Sequence, residues 1–126
     1  MTTSGPMLRR VPDLIDVLFC QEGPGVLFID EVHRMPSAVE QVLYEALEDG
    51  TVTGETAGKR ISLKLPPLAV IGATTEPRAL STQLRDRFGV QLTVEPRSPD
   101  ELTSLVRRVW DRAELAYEDG AARLIA

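Results

Sequence analysis

Short apolar runs alternate along the chain with segments whose apolar residues recur every three or four positions. The continuous runs at 26–29 and 68–73 are typical of strands buried on both faces of a parallel sheet. A third strand is predicted at 90–94. Because strands that alternate with helices form parallel sheets, the pattern predicts an α/β fold, an open parallel sheet with flanking helices. In such sheets ligands bind at the carboxyl ends of the strands.

The helical segments are marked by apolar spacing and by residues that cap helix ends. Helices are predicted at 12–20, 37–49, 81–88 and 98–116, and another is predicted to begin near Asp119. Ser37 and Glu40 have the spacing of a capping box, so Ser37 is expected to be an N-cap. Ser98 and Glu101 repeat this pattern, and Ser81 is expected to cap the short third helix.

A β-hairpin is predicted between the helix at 37–49 and the strand at 68–73. Residues 51–53 and 60–64 alternate in polarity or carry β-branched side chains, and they flank a turn predicted around Gly54 and Gly58. The hairpin is expected to project from the body of the sheet.

Composition narrows the class of protein. The chain has 126 residues, of which 43% are hydrophobic and 26% charged, as in one soluble globular domain. Its net charge of −5 gives no electrostatic reason for binding nucleic acid alone. A single cysteine and a single histidine, His33, exclude a disulfide framework and a Cys/His zinc cage. No apolar run is membrane-length and the start lacks a signal core, so a cytoplasmic location is expected.

Two acidic residues, Asp30 and Glu31, directly follow the first apolar strand. In phosphate-loop nucleotide hydrolases a strand of this kind brings an Asp to Mg²⁺, and an adjacent Glu polarises the attacking water. Mg²⁺ prefers oxygen ligands and keeps several waters, so one rigidly held carboxylate suffices. The hexapeptide alone leaves a second interpretation open, in which the acidic strand end only caps the next turn.

Further polar residues have a functional and a structural interpretation. Thr74 and Thr75 end the second strand, where a hydroxyl can contact a phosphate or the attacking water, or serve as a turn residue. Arg85 and Arg87 lie on the short third helix and are candidate arginine fingers or members of a solvated helix face. His33 has no evident partner in the sequence and is at best a supporting residue.

The phosphate-binding loop G-x-x-x-x-G-K-[ST] occurs nowhere in the chain. We therefore do not expect the 126 residues to bind nucleotide tightly by themselves.

Five segments together, TTSGP, VLFIDEVHRM, VEQVLYEALEDG, LPPLAVIGATT and LRDRFGV, closely resemble the RuvB family of AAA+ Holliday-junction branch-migration motors. The resemblance implies that residues 1–96 are the second half of an AAA+ ATPase core and 97–126 the beginning of its helical lid. It also implies that ATP and Mg²⁺ are cofactors of the complete motor.

By this resemblance Asp30 and Glu31 form the Walker B pair, with Asp30 the metal ligand. Thr75, with Thr74 beside it, is sensor one, and Arg87 is the arginine finger that acts on the neighbouring subunit. Arg85 is the alternative finger. The catalytic set is thus Asp30, Glu31, Thr75 and Arg87, and the nucleotide-binding set is Asp30, Thr74, Thr75 and Arg85.

The resemblance further implies partners: DNA at a Holliday junction, a RuvA-like protein and other copies in a hexameric ring. The chain departs from the family in lacking Walker A, sensor two and the winged helix, in a shorter hairpin, and in Glu76, where an arginine is usual. An alternative is a non-catalytic AAA+ subunit that supplies its arginine finger to a partner ATPase. A third interpretation is another AAA+ class, such as a MoxR-like chaperone.

Overall fold

A computed structural model describes residues 1–20, 23–56, 59–117 and 120–125. The helices are α1 (Val11–Phe19), α2 (Ser37–Asp49), α3 (Thr82–Arg87), α4 (Pro99–Arg112) and α5 (Ala121–Ile125). The strands are β1 (Thr2–Ser4), β2 (Gly25–Asp30), β3 (Thr51–Thr56), β4 (Lys59–Lys64) and β5 (Leu68–Gly72). The chain forms two compact units, Met1–Val90 and Gln91–Ala126, which are described separately below.

The first unit is built on a three-stranded parallel sheet in the order β1-β2-β5. The predicted strands at 26–29 and 68–73 are confirmed as β2 and β5. The sequence pattern did not predict β1, which is only three residues long and pairs Thr3 with Ile29. The predicted fold class, an open parallel sheet with flanking helices, is confirmed.

The core lies on one face of this sheet. Leu27 and Ile29 of β2 are fully buried in one cluster with leucines of α1 and α2. On the other face, Val26 and Ile71 are 49% and 50% exposed. The prediction that both faces of β2 are buried is therefore wrong for the described residues, because successive side chains of a strand point to opposite faces and α1 and α2 cover only one.

The predicted helix at 37–49 is confirmed as α2, but its predicted capping box is wrong. Pro36 occupies the N-cap position and no side chain caps the helix. The Glu40 carboxylate instead accepts a hydrogen bond of 2.9 Å from the Ser81 N–H. Glu40 thereby ties α2 to the start of α3. The helix ends as predicted at Gly50, whose φ of 63° is the left-handed conformation that glycine adopts readily.

The hairpin is formed by β3 and β4, which pair antiparallel. The predicted turn is partly wrong, because Gly54 lies within β3 and pairs with Ile61. Gly58 falls outside the described residues. The strands are thus longer than the predicted 51–53 and 60–64.

The helix predicted at 81–88 is confirmed as α3, and Ser81 caps it by accepting a hydrogen bond from the Leu84 N–H at 3.2 Å. The strand predicted at 90–94 is wrong. Its apolar residues Val90, Leu92 and Val94 are 75% to 91% exposed and belong to no strand. A strand needs a partner for its backbone hydrogen bonds, and no described strand pairs with this segment.

The second unit contains α4 and α5. The predicted capping box is confirmed: Ser98 Oγ accepts from the Glu101 N–H at 3.3 Å, and a Glu101 carboxylate oxygen accepts from the Ser98 N–H at 2.8 Å. The helix ends at Arg112 rather than near 116, because Glu114 adopts a left-handed φ of 55°. The helix predicted near Asp119 is found as α5, although Asp119 itself lies outside the described residues.

Among the helices that the structure describes, none combines the length and the apolar character needed to cross a bilayer. The division at 96/97 between an ATPase core and a lid remains a prediction.

Candidate functional site

The polar residues that follow β2 and β5 lie side by side at one edge of the sheet. The backbone joins the two strand ends, since the Val32 N–H donates to the Ala73 carbonyl and the Ala73 N–H donates to the Ile29 carbonyl, both at 2.9 Å. Asp30 and Glu31 are therefore held next to the segment that carries Thr74 and Thr75. This edge is the carboxyl end of the strands, where open α/β sheets bind ligands.

Asp30 lies at the end of β2 with its side chain exposed. One carboxylate oxygen, Oδ1, accepts a hydrogen bond of 2.9 Å from the Glu31 N–H. Over the described residues no group of three or more acidic, His or Cys side chains is placed to hold a metal ion. A lone, rigidly held carboxylate fits Mg²⁺, which takes its other ligands from water and phosphate, and does not fit an ion that needs a full protein cage.

Glu31 has an unusual backbone conformation, with φ 49° and ψ 47°. A non-glycine residue in this left-handed region costs of order 1–3 kcal/mol and persists only where surrounding structure holds it. Gly5, just after β1, provides part of that support. A Cβ on Gly5 would overlap the Glu31 carbonyl oxygen and lie 3.3 Å from the Met35 N. The backbone around Glu31 therefore packs against a position that only glycine fits.

The Glu31 carboxylate is contacted by two other residues of the site. Thr75 Oγ1 donates to it, at 3.2 Å from Oε2 and 3.4 Å from Oε1. His33 Nδ1 lies 3.2 Å from Oε2. His33 Nδ1 is also 2.8 Å from Thr74 Oγ1, which accepts a hydrogen bond from the Glu76 N–H at 3.0 Å. Hydrogen bonds, together with the ion-pair contact between His33 and Glu31, thus connect the strand-end residues in one network.

Arg87 is held at a different place, on the surface between α3 and α2. Its guanidinium forms an ion pair with Glu48, donates to Tyr44 Oη at 3.4 Å, and has its Cζ 5.3 Å from the centre of the Tyr44 ring. The hydrogen bond that Arg87 donates to Tyr44, together with the nearby Glu48 carboxylate, raises the pKa of Arg87 above its ordinary value. Tyr44 and Glu48 are one helical turn apart on α2, so they face Arg87 together. Arg85 lies half-buried on the same helix, α3.

Comparison with known proteins decides the family. A sequence model of the family described as "Holliday junction DNA helicase RuvB P-loop domain" matches residues 1–94. The chain belongs to the RuvB family. A RuvB relative, the Holliday junction branch migration complex subunit RuvB of Streptococcus uberis, is 44% identical over 98% of this chain.

Solved RuvB structures have the same fold. The Thermotoga maritima RuvB Holliday junction branch migration motor is 36% identical, with a TM-score of 0.76 over 98% of this chain and 38% of that one. A mutant of Thermotoga maritima RuvB is also 36% identical, with a TM-score of 0.79 over 98% of this chain and 39% of that one. The chain thus spans about two fifths of the length of its relatives.

The residues singled out from the sequence fall into two groups in this RuvB-family fold. The first group meets at the carboxyl edge of the sheet and comprises Asp30, Glu31, Thr74 and Thr75. The second group, Arg85 and Arg87, lies on α3, and the described contacts of Arg87 are with α2. Their catalytic and nucleotide-binding roles remain predictions.

Sequence reasoning underrated His33 and overlooked Gly5. His33 is the sole histidine, and its partner Thr74 is 41 residues away, so no local spacing could indicate the contact. Gly5 stands in TTSGP, one of the five segments that carry the resemblance to the RuvB family. The one available signal was that Gly5 follows a polar triplet that could pair beside the acidic strand. Glu76, the departure from the family pattern, has its carboxylate 3.9 Å from His33 Nε2.

Proposed function

We propose that this chain is part of an ATP-driven DNA motor of the RuvB type, which moves the branch point of Holliday junctions in recombination and repair. The observation that carries the proposal is the strand-end network of Asp30, Glu31 and Thr75 in a chain of the RuvB family. In this proposal, residues 1–96 complete an ATPase core and residues 97–126 begin its lid.

Each strand-end residue has a distinct role in the proposed hydrolysis of ATP. Asp30 would hold the Mg²⁺ that accompanies the nucleotide, and this ion would neutralise charge on the phosphates. Glu31, the next residue, orients and polarises the attacking water. Thr75, whose hydroxyl both donates and accepts, contacts the γ-phosphate or that water, with Thr74 beside it.

The phosphate-binding loop is not among these 126 residues, so in this proposal it is supplied by polypeptide outside them. A loop of that kind cradles the phosphates with backbone N–H groups, and without it we expect only weak nucleotide binding.

The proposed partners are those that the resemblance to the RuvB family implies. The Streptococcus uberis relative is described as a subunit of a branch migration complex, and the Thermotoga maritima relative as a branch migration motor. As partners we propose Holliday-junction DNA, a RuvA-like protein and further copies of the chain in a hexameric ring. We also propose a cytoplasmic location. In a ring, Arg87 would reach the ATP of the next subunit, a contribution worth about 10³-fold or more in rate.

A chimera tests the proposal. The segment of Streptococcus uberis RuvB that matches this chain is replaced by these 126 residues, so that the relative supplies the phosphate loop. We expect DNA-stimulated ATP hydrolysis that falls at least 100-fold on Glu31→Gln while ATP binding is retained. Glu45→Gln, on the surface of α2, is the matched control and should leave hydrolysis unchanged. A chimera that hydrolyses ATP equally well with Gln at position 31 would refute the assignment.

Calorimetric titration of the 126-residue chain with ATP and Mg²⁺ tests the dependence on an external phosphate loop. We expect no tight binding. Micromolar binding that Asp30→Asn abolishes would contradict this part of the proposal, since it would mean that the chain holds the phosphates by itself.

A second function is favoured by the exposed, oriented Arg87: a subunit without its own ATP that supplies an arginine finger to a partner ATPase. Here the unmodified chain should stimulate a RuvB ring whose own finger has been removed, and Arg87→Ala should abolish the stimulation. Arg85→Ala is the informative comparison, because loss of stimulation by that variant alone would make Arg85 the finger. No stimulation by the unmodified chain would exclude this function.

A further inference from the structure

His33 lies at the centre of the strand-end network, two residues after Glu31 in the sequence. Its side chain is 9% exposed, whereas the Glu31 side chain beside it is 32% exposed. It lies in the single turn of 3-10 helix at Val32–Arg34, which the backbone bond from Val32 to Ala73 fixes against β5. The imidazole therefore has little freedom to move away from the strand ends.

The geometry around the ring indicates which nitrogen carries a proton. Nδ1 lies 3.2 Å from a Glu31 carboxylate oxygen and 2.8 Å from Thr74 Oγ1. An ionised carboxylate only accepts hydrogen bonds, whereas a threonine hydroxyl can donate or accept. A proton on Nδ1 makes both neighbours favourable, because Thr74 Oγ1 can accept the shorter hydrogen bond while the Glu31 carboxylate lies within ion-pair distance of the same N–H. A proton on Nε2 alone would set the Nδ1 lone pair against the Glu31 carboxylate.

We propose that His33 is a positioning residue that fixes the direction of the Glu31 carboxylate through an Nδ1–H donor, with Thr74 Oγ1 locating the ring. The proposal rests on the proposed function for the role of Glu31. The placement of the ring itself does not depend on that function.

His33 and Thr75 both contact Glu31, but they differ in what else they can do. Thr75 is exposed, and its hydroxyl is the group expected to turn to a phosphate or to water. When it does so, it no longer donates to Glu31. His33 is nearly buried and is the donor that stays, so the carboxylate keeps its direction while Thr75 changes partner.

Glu76 contributes less to this arrangement. Its carboxylate is 3.9 Å from His33 Nε2 and its side chain is 71% exposed, so water screens the contact. The backbone N–H of Glu76 contributes more than its side chain, since it donates to Thr74 Oγ1 and fixes that hydroxyl next to the ring.

The tautomer of the ring can be read directly, because the chain has one histidine and therefore one imidazole signal. Two-bond ¹⁵N–¹H correlation spectra of the uniformly labelled 126-residue chain are recorded with the ring in its neutral form. We expect Nδ1 in the protonated chemical-shift range, whereas free histidine in water favours the proton on Nε2. A neutral ring with its proton on Nε2 would overturn the proposal.

Variants separate positioning from a merely structural role. Glu31→Ala removes the acceptor, and we expect the proton to move to Nε2, with Nδ1 shifting to the unprotonated range. Glu76→Gln is the matched acidic control and should leave Nδ1 protonated. If Glu31→Ala leaves the ring nitrogens unchanged, Glu31 and His33 are not coupled and the proposal is wrong.

Substitutions at His33 complete the test. An Asn amide N–H₂ takes the place of Nδ1, whereas a Gln amide N–H₂ takes the place of Nε2. We expect His33→Asn to preserve the amide shifts of Glu31 and Thr75, and His33→Gln to shift both. Equal shifts in the two variants would contradict the proposal. Because these spectra need no nucleotide, a failure here is distinguishable from a failure of the proposed ATPase function.

Discussion

Each of the two compact units is stabilised internally by a different kind of interaction. In Met1–Val90, fully buried side chains from α1, β2, α2 and α3 form one core, although these elements are far apart in sequence. In Gln91–Ala126, the described buried residues are Thr103 and Ala122, and α4 is organised by contacts within its own first turn. The first unit depends on long-range burial, whereas the second has few described buried side chains and local hydrogen bonds organise the start of α4.

The difference explains where the candidate site is found. Glu31 and Thr75 are 44 residues apart, and only a packed sheet holds two strand ends within hydrogen-bond distance of each other. Local bonds such as those at the start of α4 position neighbours in sequence, and they cannot bring remote groups together. The site residues described at the strand edge accordingly belong to the unit that has the core.

The largest expected effect comes from removing core volume in the first unit. Leu27 lies in the central strand and is fully buried, so Leu27→Ala should lower the free energy of unfolding by about 2–5 kcal/mol. Val109→Ala removes two methyl groups from a side chain on α4 that is 58% exposed, and it should change stability by less than about 0.5 kcal/mol. Urea unfolding followed by circular dichroism measures both. Equal losses would mean that the two units do not differ as described.

A smaller loss of stability is expected from a substitution at Gly5, where two segments of backbone pack closely against each other. A Cβ there overlaps the Glu31 carbonyl oxygen, so Gly5→Ala should cost about 1–3 kcal/mol and displace Glu31. Gly54→Ala is the matched control, because a Cβ on Gly54 meets nothing within 4 Å. Chemical denaturation gives the stabilities, and amide shifts of Glu31 and Thr75 report the displacement. A Gly5→Ala variant with wild-type shifts would show that the close approach does not hold Glu31.

Sequence patterns predicted those parts of the fold whose signals are local. The apolar runs of β2 and β5 and the capping residues Ser81 and Ser98 each stand within a few positions of the element they define. The prediction of a strand at 90–94 is wrong because alternation of apolar and polar residues shows only that a strand is possible. A strand also needs a pairing partner, and no described strand provides one. The predicted capping box of Ser37 and Glu40 is wrong because Glu40 has a remote partner, the Ser81 N–H, which no local pattern shows.

The candidate site, like the fold, could be predicted from the sequence only in part. Asp30 and Glu31 end a readable apolar strand, and parallel strands bring their carboxyl ends to one edge, so a meeting with Thr74 and Thr75 could be expected. The contacts of His33 and the fit of Gly5 depend on tertiary packing. Their partners, Thr74 and the Glu31 carbonyl, lie 41 and 26 residues away.

The smallest expected effect is the pH dependence of α4, which tests whether local bonds organise the second unit. Hydrogen bonds from the Ser98 N–H and hydroxyl, at 2.8 and 2.9 Å, lower the pKa of the Glu101 carboxyl below its ordinary value of 4.5, and Arg97 adds to this. A carboxyl whose folded pKa is lowered stabilises the folded state fully above its unfolded pKa. That contribution is lost as the pH falls from there through the lower folded value.

The protection of the amides in the first turn of α4 against hydrogen exchange, relative to the intrinsic exchange rate at each pH, should therefore fall below about pH 4.5. Ser98→Ala should reduce this pH dependence without abolishing it, since it deletes the hydroxyl that caps the helix and donates to Glu101 but keeps the Ser98 N–H, whose hydrogen bond is the larger cause of the lowered pKa. Amides of β2 should show no such step, because the first unit is held by burial. A step of equal size in β2 would mean that protonation acts through the whole fold, and that the contrast between a packed unit and a locally bonded one is wrong.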